Sequence, residues 1–185
     1  MRKKLLFLTG APGTGKTTVL LKVADALKSK GYRIGGMITR EVRSCGSRVG
    51  FQIIDVESSR QGWLAHVNLK TGPKVGRYRV NLEDLNSIGA AAILKAVKGS
   101  DIILIDEIGP MELFSEKFRD AVRKAVESGK IVIGTVHWRM KDATIEEIKQ
   151  REDAEIHVVT RENRDKLPKI IIAQVSNFKE GHVTV

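Results

Sequence analysis

The segment Gly10-Ala11-Pro12-Gly13-Thr14-Gly15-Lys16-Thr17 restricts the fold of this chain more than any other. It matches the pattern G-x-x-x-x-G-K-[ST], and its surroundings are as informative as the pattern. An apolar run, Lys3–Thr9, leads into it. Lys16–Lys28 follows, with Leu20, Val23, Ala24 and Leu27 at helical spacing. A glycine-rich turn between a buried strand and an amphipathic helix leaves unpaired backbone N–H groups at the helix start, where an anion binds. The glycines let the main chain wrap phosphate oxygens in conformations that a Cβ hinders. Lys16 is expected to bring charge to the β- and γ-phosphates, and the Thr17 hydroxyl to ligate Mg²⁺. Residues Gly10 through Thr18 thus read as a cradle for the polyphosphate of a nucleotide.

The rest of the chain supplies a matching frame. Lys30-Gly31 closes the first helix with a basic last turn and a glycine stop, and Arg33–Thr39 reads as a second strand. From Glu41 to Val80 the sequence is rich in glycine and β-branched residues, which predicts short strands in antiparallel hairpins added to one sheet edge. Leu85, Ile88, Ala92, Ile93 and Ala96 form an apolar helical stripe. Ile102–Ile105 and Ile131–Val136 are short, β-branched and apolar enough to be buried strands, and Glu155–Val159 is a shorter one. Ser115 is placed to cap a helix whose apolar face is Phe118, Ala121, Val122 and Ala125, ending at Gly129. A last helix is expected from near Glu162 to Ala173, with Pro168 interrupting or delaying it. This alternation predicts a mainly parallel sheet covered by helices on both faces.

Asp106-Glu107 stands at the end of the apolar strand Ile102–Ile105, the end at which ligands bind in open α/β sheets. Asp106 is the expected second Mg²⁺ ligand. Glu107 is a carboxylate able to polarise a water and aim it at the γ-phosphorus, which favours hydrolysis over transfer to a bound acceptor. Thr135 and His137 follow the neighbouring strand and are candidates to hydrogen-bond the γ-phosphate or the water. An arginine is still needed against the charge of transfer, and spacing leaves Arg40, Arg43, Arg48, Arg77, Arg139 and Arg164 all open.

Composition excludes several classes. The longest apolar stretches are four or five residues, such as Leu5–Leu8 and Ala90–Leu94, against about 20 for a helix that spans a bilayer. The run is broken at Gly10, so no secretory leader is expected. The single cysteine, Cys45, excludes an intrachain disulfide and argues against a cysteine-based zinc site; a cytoplasmic chain is expected. Residues 1–99 carry 18 basic and 6 acidic side chains, whereas residues 100–185 carry 14 and 16. The basic half attracts anions generally. No basic run exceeds three residues and no aromatic–basic alternation marks a base-stacking platform, so nucleic acid is an unlikely partner.

With these residues in place the chain resembles the nucleoside-triphosphatase family first recognised in thermophiles, whose human member is called cancer-related nucleoside-triphosphatase. The matching segments are Thr9–Thr18, Thr39–Arg43, Gly46–Phe51, Val75–Tyr78, Ile105–Phe114 and Thr160–Arg164. The resemblance implies one P-loop NTPase domain over residues 1–185, RecA-like, with 41–80 as a hairpin insertion. It implies Mg²⁺-dependent hydrolysis of nucleoside triphosphates to diphosphates with little discrimination between bases. The implied nucleotide-binding segments are Gly10–Thr17 and Ile102, Ile103, Leu104, Ile105, Asp106, Glu107, Ile108 and Gly109, with Lys16 and Glu107 catalytic and Thr17 and Asp106 on the metal. Two positions depart from the family pattern. Thr135-Val136-His137 stands where Thr-Ile-Pro is frequent, and Arg40 where an acidic residue is common. Two rivals share the same phosphate loop, a nucleotide or nucleoside kinase and a nucleic-acid-associated regulatory module.

Overall fold

Strand β1 (Leu5–Thr9) is buried along its whole length because it lies inside a sheet covered on both sides. Leu5 and Phe7 project into one core and Leu6 and Leu8 into the other, as the period of two in a strand requires. The computed structural model describes residues 3–180. Residues 1, 2 and 181–185 of the domain expected over 1–185 lie outside the described residues.

Among the described residues one nine-stranded sheet carries the architecture. The remaining strands are β2 (Ile34–Ser44), β3 (Ser47–Asp55), β4 (Gln61–His66), β5 (Lys74–Val75), β6 (Tyr78–Val80), β7 (Ile102–Ile108), β8 (Ile131–Val136) and β9 (Ala154–Val158). Their spatial order is β5-β6-β4-β3-β2-β7-β8-β1-β9. From β2 to β9 every pairing is parallel. From β2 outward through β3, β4, β6 and β5 every pairing is antiparallel. Strand β2 belongs to both halves. Ile34–Met37 align with β7, and Met37–Ser44 run on as one arm of a hairpin with β3. The expected boundary of the hairpin segment at Glu41 therefore falls inside a strand, not between elements.

Helix α1 (Lys16–Ser29) buries Val19, Leu20, Val23, Ala24 and Leu27 against one sheet face. Helix α6 (Leu167–Glu180) packs beside it through Ile171 and Val175. Pro168 delays this last helix rather than interrupting it, since it sits in the first turn, where a missing N–H is harmless. The opposite face is covered by a helical run that starts as α2 (Leu82–Asp84), passes through a π-wound turn (Leu85–Ala90) and continues as α3 (Ala91–Gly99). The stripe Leu85, Ile88, Ala92, Ile93 and Ala96 is buried throughout. Each large apolar side chain hidden there contributes about 1.5–3 kcal/mol of burial.

Helix α4 (Glu116–Glu127) begins at Ser115, whose hydroxyl accepts from the Phe118 N–H at 3.0 Å. Helix α5 (Ala143–Gln150) had no counterpart among the sequence expectations. Its signals were short: Asp142 as cap and Ile145 with Ile148 on the buried side. Among the described residues no helix is long and apolar enough to cross a membrane.

Candidate active site

The loop between β1 and α1 is held in a shape that only glycine tolerates at key points. Gly10 has φ +144°, and a Cβ there would lie 2.6 Å from the Val159 carbonyl oxygen. Gly15 caps α1 at φ +102° and has the aliphatic part of Arg164 against it. The Lys16 ammonium donates to the carbonyls of Gly10 at 2.9 Å and Ala11 at 3.3 Å, so its charge spans the mouth of the loop. Thr14 donates its hydroxyl to the Ala11 carbonyl at 3.0 Å and stiffens the turn.

Asp106 is a buried, hydrogen-bonded carboxylate. It is 1% exposed. The Thr17 hydroxyl donates to its Oδ2 at 2.9 Å, the Thr135 hydroxyl to its Oδ1 at 2.6 Å, and the Thr39 backbone N–H also donates to it. Three elements, α1, β8 and β2, thus converge on one side chain of β7. Thr135 was a candidate for contact with phosphate or water. It is fully buried and positions Asp106 from behind. Burial raises the Asp106 carboxyl above its ordinary range, against the lowering effect of Thr135, Thr17 and Lys16.

Glu107, one residue on, lines a cavity of about 740 Å³ together with Lys16, Thr17 and His137. Burial, helped by the neighbouring Asp106, pushes its carboxyl up to about 7, and Lys16 opposes this. A third acid was given no role by the sequence. Glu112 is 5% exposed, and burial together with Glu107 raises its carboxyl to about 8. Gly109 leaves the gap between these two acids: a Cβ there would be 3.2 Å from Glu107 Oε1 and 3.3 Å from Glu112 Oε2. Glu112 falls within the segment Ile105–Phe114 that carries the resemblance, but its burial depends on how the loop after β7 folds back.

His137 Nδ1 accepts the N–H groups of Met140 at 3.1 Å and Arg139 at 3.4 Å. Burial and the charge of Lys16 lower its pKa, so the ring is neutral near pH 7. With Nδ1 accepting, its proton belongs on Nε2, which makes that nitrogen a donor.

The expected contact residues divide by depth. Ile102, Ile103, Leu104 and Ile105 are essentially fully buried and send alternate side chains into the two cores. They position the acids rather than border the cavity. Ile108 is also core. The structure further separates five of the six arginines. Arg43 and Arg48 are paired with Glu41 at 2.6 and 3.0 Å, and Arg77 donates to the Tyr78 hydroxyl and the Arg48 carbonyl. Arg40 borders the large cavity. Arg164 borders a second cavity of about 270 Å³ with Gly15, Thr18, Val19, Lys22 and Asp165.

The residues present fit a Mg²⁺ ion. This cation takes hard oxygen ligands, keeps several waters and is held through one or two protein groups plus phosphate. Thr17 and Asp106 offer one hydroxyl and one carboxylate in mutual contact. No group of three or more His, Cys, Asp or Glu side chains among the described residues forms a full metal cage.

A glycine-wrapped loop with Lys-Thr at a helix start, facing a strand-end Asp-Glu pair on a parallel sheet, defines a P-loop nucleotide-binding α/β protein. The chain matches the sequence model of the NTPase family over residues 5–172 and belongs to that family. It is 45% identical over 179 residues to the nucleoside-triphosphatase THEP1 of Thermofilum pendens, covering 96% of this chain and 98% of that one. Identity to the Methanocaldococcus jannaschii protein of the same name is 41%, with 92% and 96% covered. Among solved structures, THEP1 from the hyperthermophile Aquifex aeolicus superimposes with a TM-score of 0.80 at 32% identity, over 91% of this chain and 97% of that one. A human cancer-related nucleoside triphosphatase gives a TM-score of 0.80 at 37% identity, over 94% and 98%.

Proposed function

We propose that this chain hydrolyses nucleoside triphosphates, ATP and GTP among them, to diphosphate and phosphate in a Mg²⁺-dependent reaction with broad tolerance of the base. The observation that carries this reading is that Lys16, Thr17 and Glu107 line one cavity while the Thr17 hydroxyl touches Asp106 at 2.9 Å. Relatives named nucleoside-triphosphatase at 41–45% identity support it.

In this mechanism the backbone amides of residues 10–18 hold the phosphates, and Lys16 turns from the Gly10 and Ala11 carbonyls to the β- and γ-phosphate oxygens. Thr17 and Asp106 would hold Mg²⁺, which neutralises charge on those oxygens when bound. Glu107 accepts a hydrogen bond from the attacking water and takes its proton as the oxygen approaches phosphorus. His137 Nε2–H donates to a γ-phosphate oxygen. The α-phosphate end passes over Thr18, so the nucleoside leaves toward the smaller cavity beside Arg164.

The test is phosphate release from ATP, GTP, CTP and UTP, each with Mg²⁺ and with chelator. Release from all four that chelator abolishes and Mg²⁺ restores is the expected result. No release from any, or release indifferent to the metal, overturns the proposal.

A further inference from the structure

The main cavity is larger and more apolar than a polyphosphate requires. Its floor is the phosphate loop with Glu107, but its outer wall is Leu21 from α1, Ile38 from β2, Phe51 and Ile54 from β3, and Trp138 from the loop after β8. Leu21 and Trp138 are two large apolar side chains left 36% exposed. Arg40 borders the same space. Its guanidinium donates to the amide oxygens of Gln52 at 2.6 Å and Gln61 at 3.3 Å, both neutral, so these bonds hold it without cancelling its charge. Glu41, the acid on the same wall, is paired with Arg43 and Arg48. Arg40 and His137, the two departures from the family pattern, both face this cavity, and Trp138 follows directly.

The geometry points to a second ligand subsite in the outer half of this cavity, which takes a planar ring on Trp138 and an anionic group on Arg40: a ligand of the nucleoside monophosphate class, bound beside the γ-phosphate while the triphosphate is in place. The inference rests on the proposed placement of the γ-phosphate at Lys16 and Glu107. In the proposed pose the nucleoside of the triphosphate leaves this space free: its α-phosphate end lies at Thr18, which borders both cavities, and the nucleoside enters the smaller one. The whole cavity, phosphate loop included, is about 740 Å³, in the upper part of the range of about 300–1,000 Å³ for ligand pockets, which leaves room beside a polyphosphate. An aromatic face supplies stacking, and an arginine whose bonds among the described residues are to neutral amide oxygens supplies a charge-assisted bond. A molecule seated there occupies the side of the γ-phosphate from which Glu107 directs water, so it slows hydrolysis without displacing the nucleotide.

The experiment uses the full chain carrying Trp63→Phe, which leaves Trp138 as its only tryptophan. The protein is saturated with Mg²⁺ and a non-hydrolysable ATP analogue, then titrated with AMP or UMP. Adenosine and ribose 5-phosphate serve as probes lacking the anion or the ring. AMP and UMP are expected to change Trp138 emission saturably, with each partial probe about tenfold weaker, the scale of one stacking or one charged contact. In turnover assays AMP lowers kcat for ATP and leaves KM unchanged. Trp138→Ala weakens that inhibition about tenfold while uninhibited turnover stays within about twofold, and Arg40→Gln weakens the inhibition comparably. Inhibition competitive with ATP, an emission change abolished by the bound analogue, or no emission change at millimolar probe overturns the subsite. Turnover without probe tests the hydrolysis reading separately: an active enzyme blind to AMP counts against the subsite alone. An inactive enzyme whose Trp138 emission still responds counts against hydrolysis alone.

Discussion

Replacing Arg119 by Met should separate two loops that border the site. The Arg119 side chain lies on α4 and is 20% exposed, and that of its partner Asp142 is 12% exposed. It donates to the Leu113 carbonyl at 2.8 Å, to both Asp142 oxygens at 2.8 and 2.9 Å, and to the Thr144 hydroxyl at 2.9 Å. Leu113 ends the loop that holds Glu112, and Asp142 ends the loop that holds His137 and Trp138. Exposed ion pairs contribute under about 1 kcal/mol and breaking a fully buried one costs about 3–5 kcal/mol. A pair shielded to this degree lies between, at about 2 kcal/mol, and the Met stem retains the apolar contacts of the Arg. For a chain of this length that corresponds to a fall in Tm of about 4–8 °C. Urea denaturation of Arg119→Met, Asp142→Asn and the double variant measures the coupling directly. Arg119 holds the Asp142 carboxyl below its ordinary range. A depressed folded pKa contributes stability that is present above the unfolded value, about 3.9, and is lost as pH falls through the folded value. The difference between wild type and Arg119→Met should therefore be complete at neutral pH and shrink in acid below about pH 4. Additive single variants, or a difference that does not change with acid, would refute the reasoning.

Glu107→Gln removes the proton acceptor but keeps shape and hydrogen bonding, so kcat should fall by about 10²–10⁴ with nucleotide affinity retained. Equilibrium binding beside steady-state turnover checks this, and wild-type turnover would remove Glu107 from its role. Thr135→Val takes one donor from a buried carboxylate and should cost about 1–3 kcal/mol in urea denaturation, with weaker Mg²⁺ dependence of turnover; unchanged stability would mean the 2.6 Å contact carries no weight. Gly10→Ala places a Cβ 2.6 Å from the Val159 carbonyl in a left-handed conformation, which should weaken ATP binding about tenfold or more by calorimetry. Wild-type affinity would show that the loop relaxes freely.

What sequence reasoning reached depended on whether a function was local in the chain. The phosphate loop was legible because strand, glycines, Lys16 and helix are contiguous, and one stretch carries the whole motif. Ile102–Ile105 were legible as a buried strand, yet the same burial that marks them keeps them off the cavity. Thr135 was rightly placed at a strand tip, but whether it faces phosphate or Asp106 is set by the register of β7 with β8. Arg48 could not be set apart from the other arginines because its partners Glu41 and Tyr78 come from other strands. Helix α5 escaped notice because eight residues hold only two buried isoleucines, too few for a period to show.

Strand β2 joins the two halves of the sheet as a single continuous ribbon, and the jaw formed by β3 and β4 is anchored to the hydrolytic frame through that ribbon and through the helical run Leu82–Ala90 packed against it. Amino-acid changes on that jaw reshape what enters from outside while leaving the gripping loop and the acids untouched. Diversification within such a lineage can therefore proceed by exchanging upholstery on one arm, with the chemical engine inherited intact.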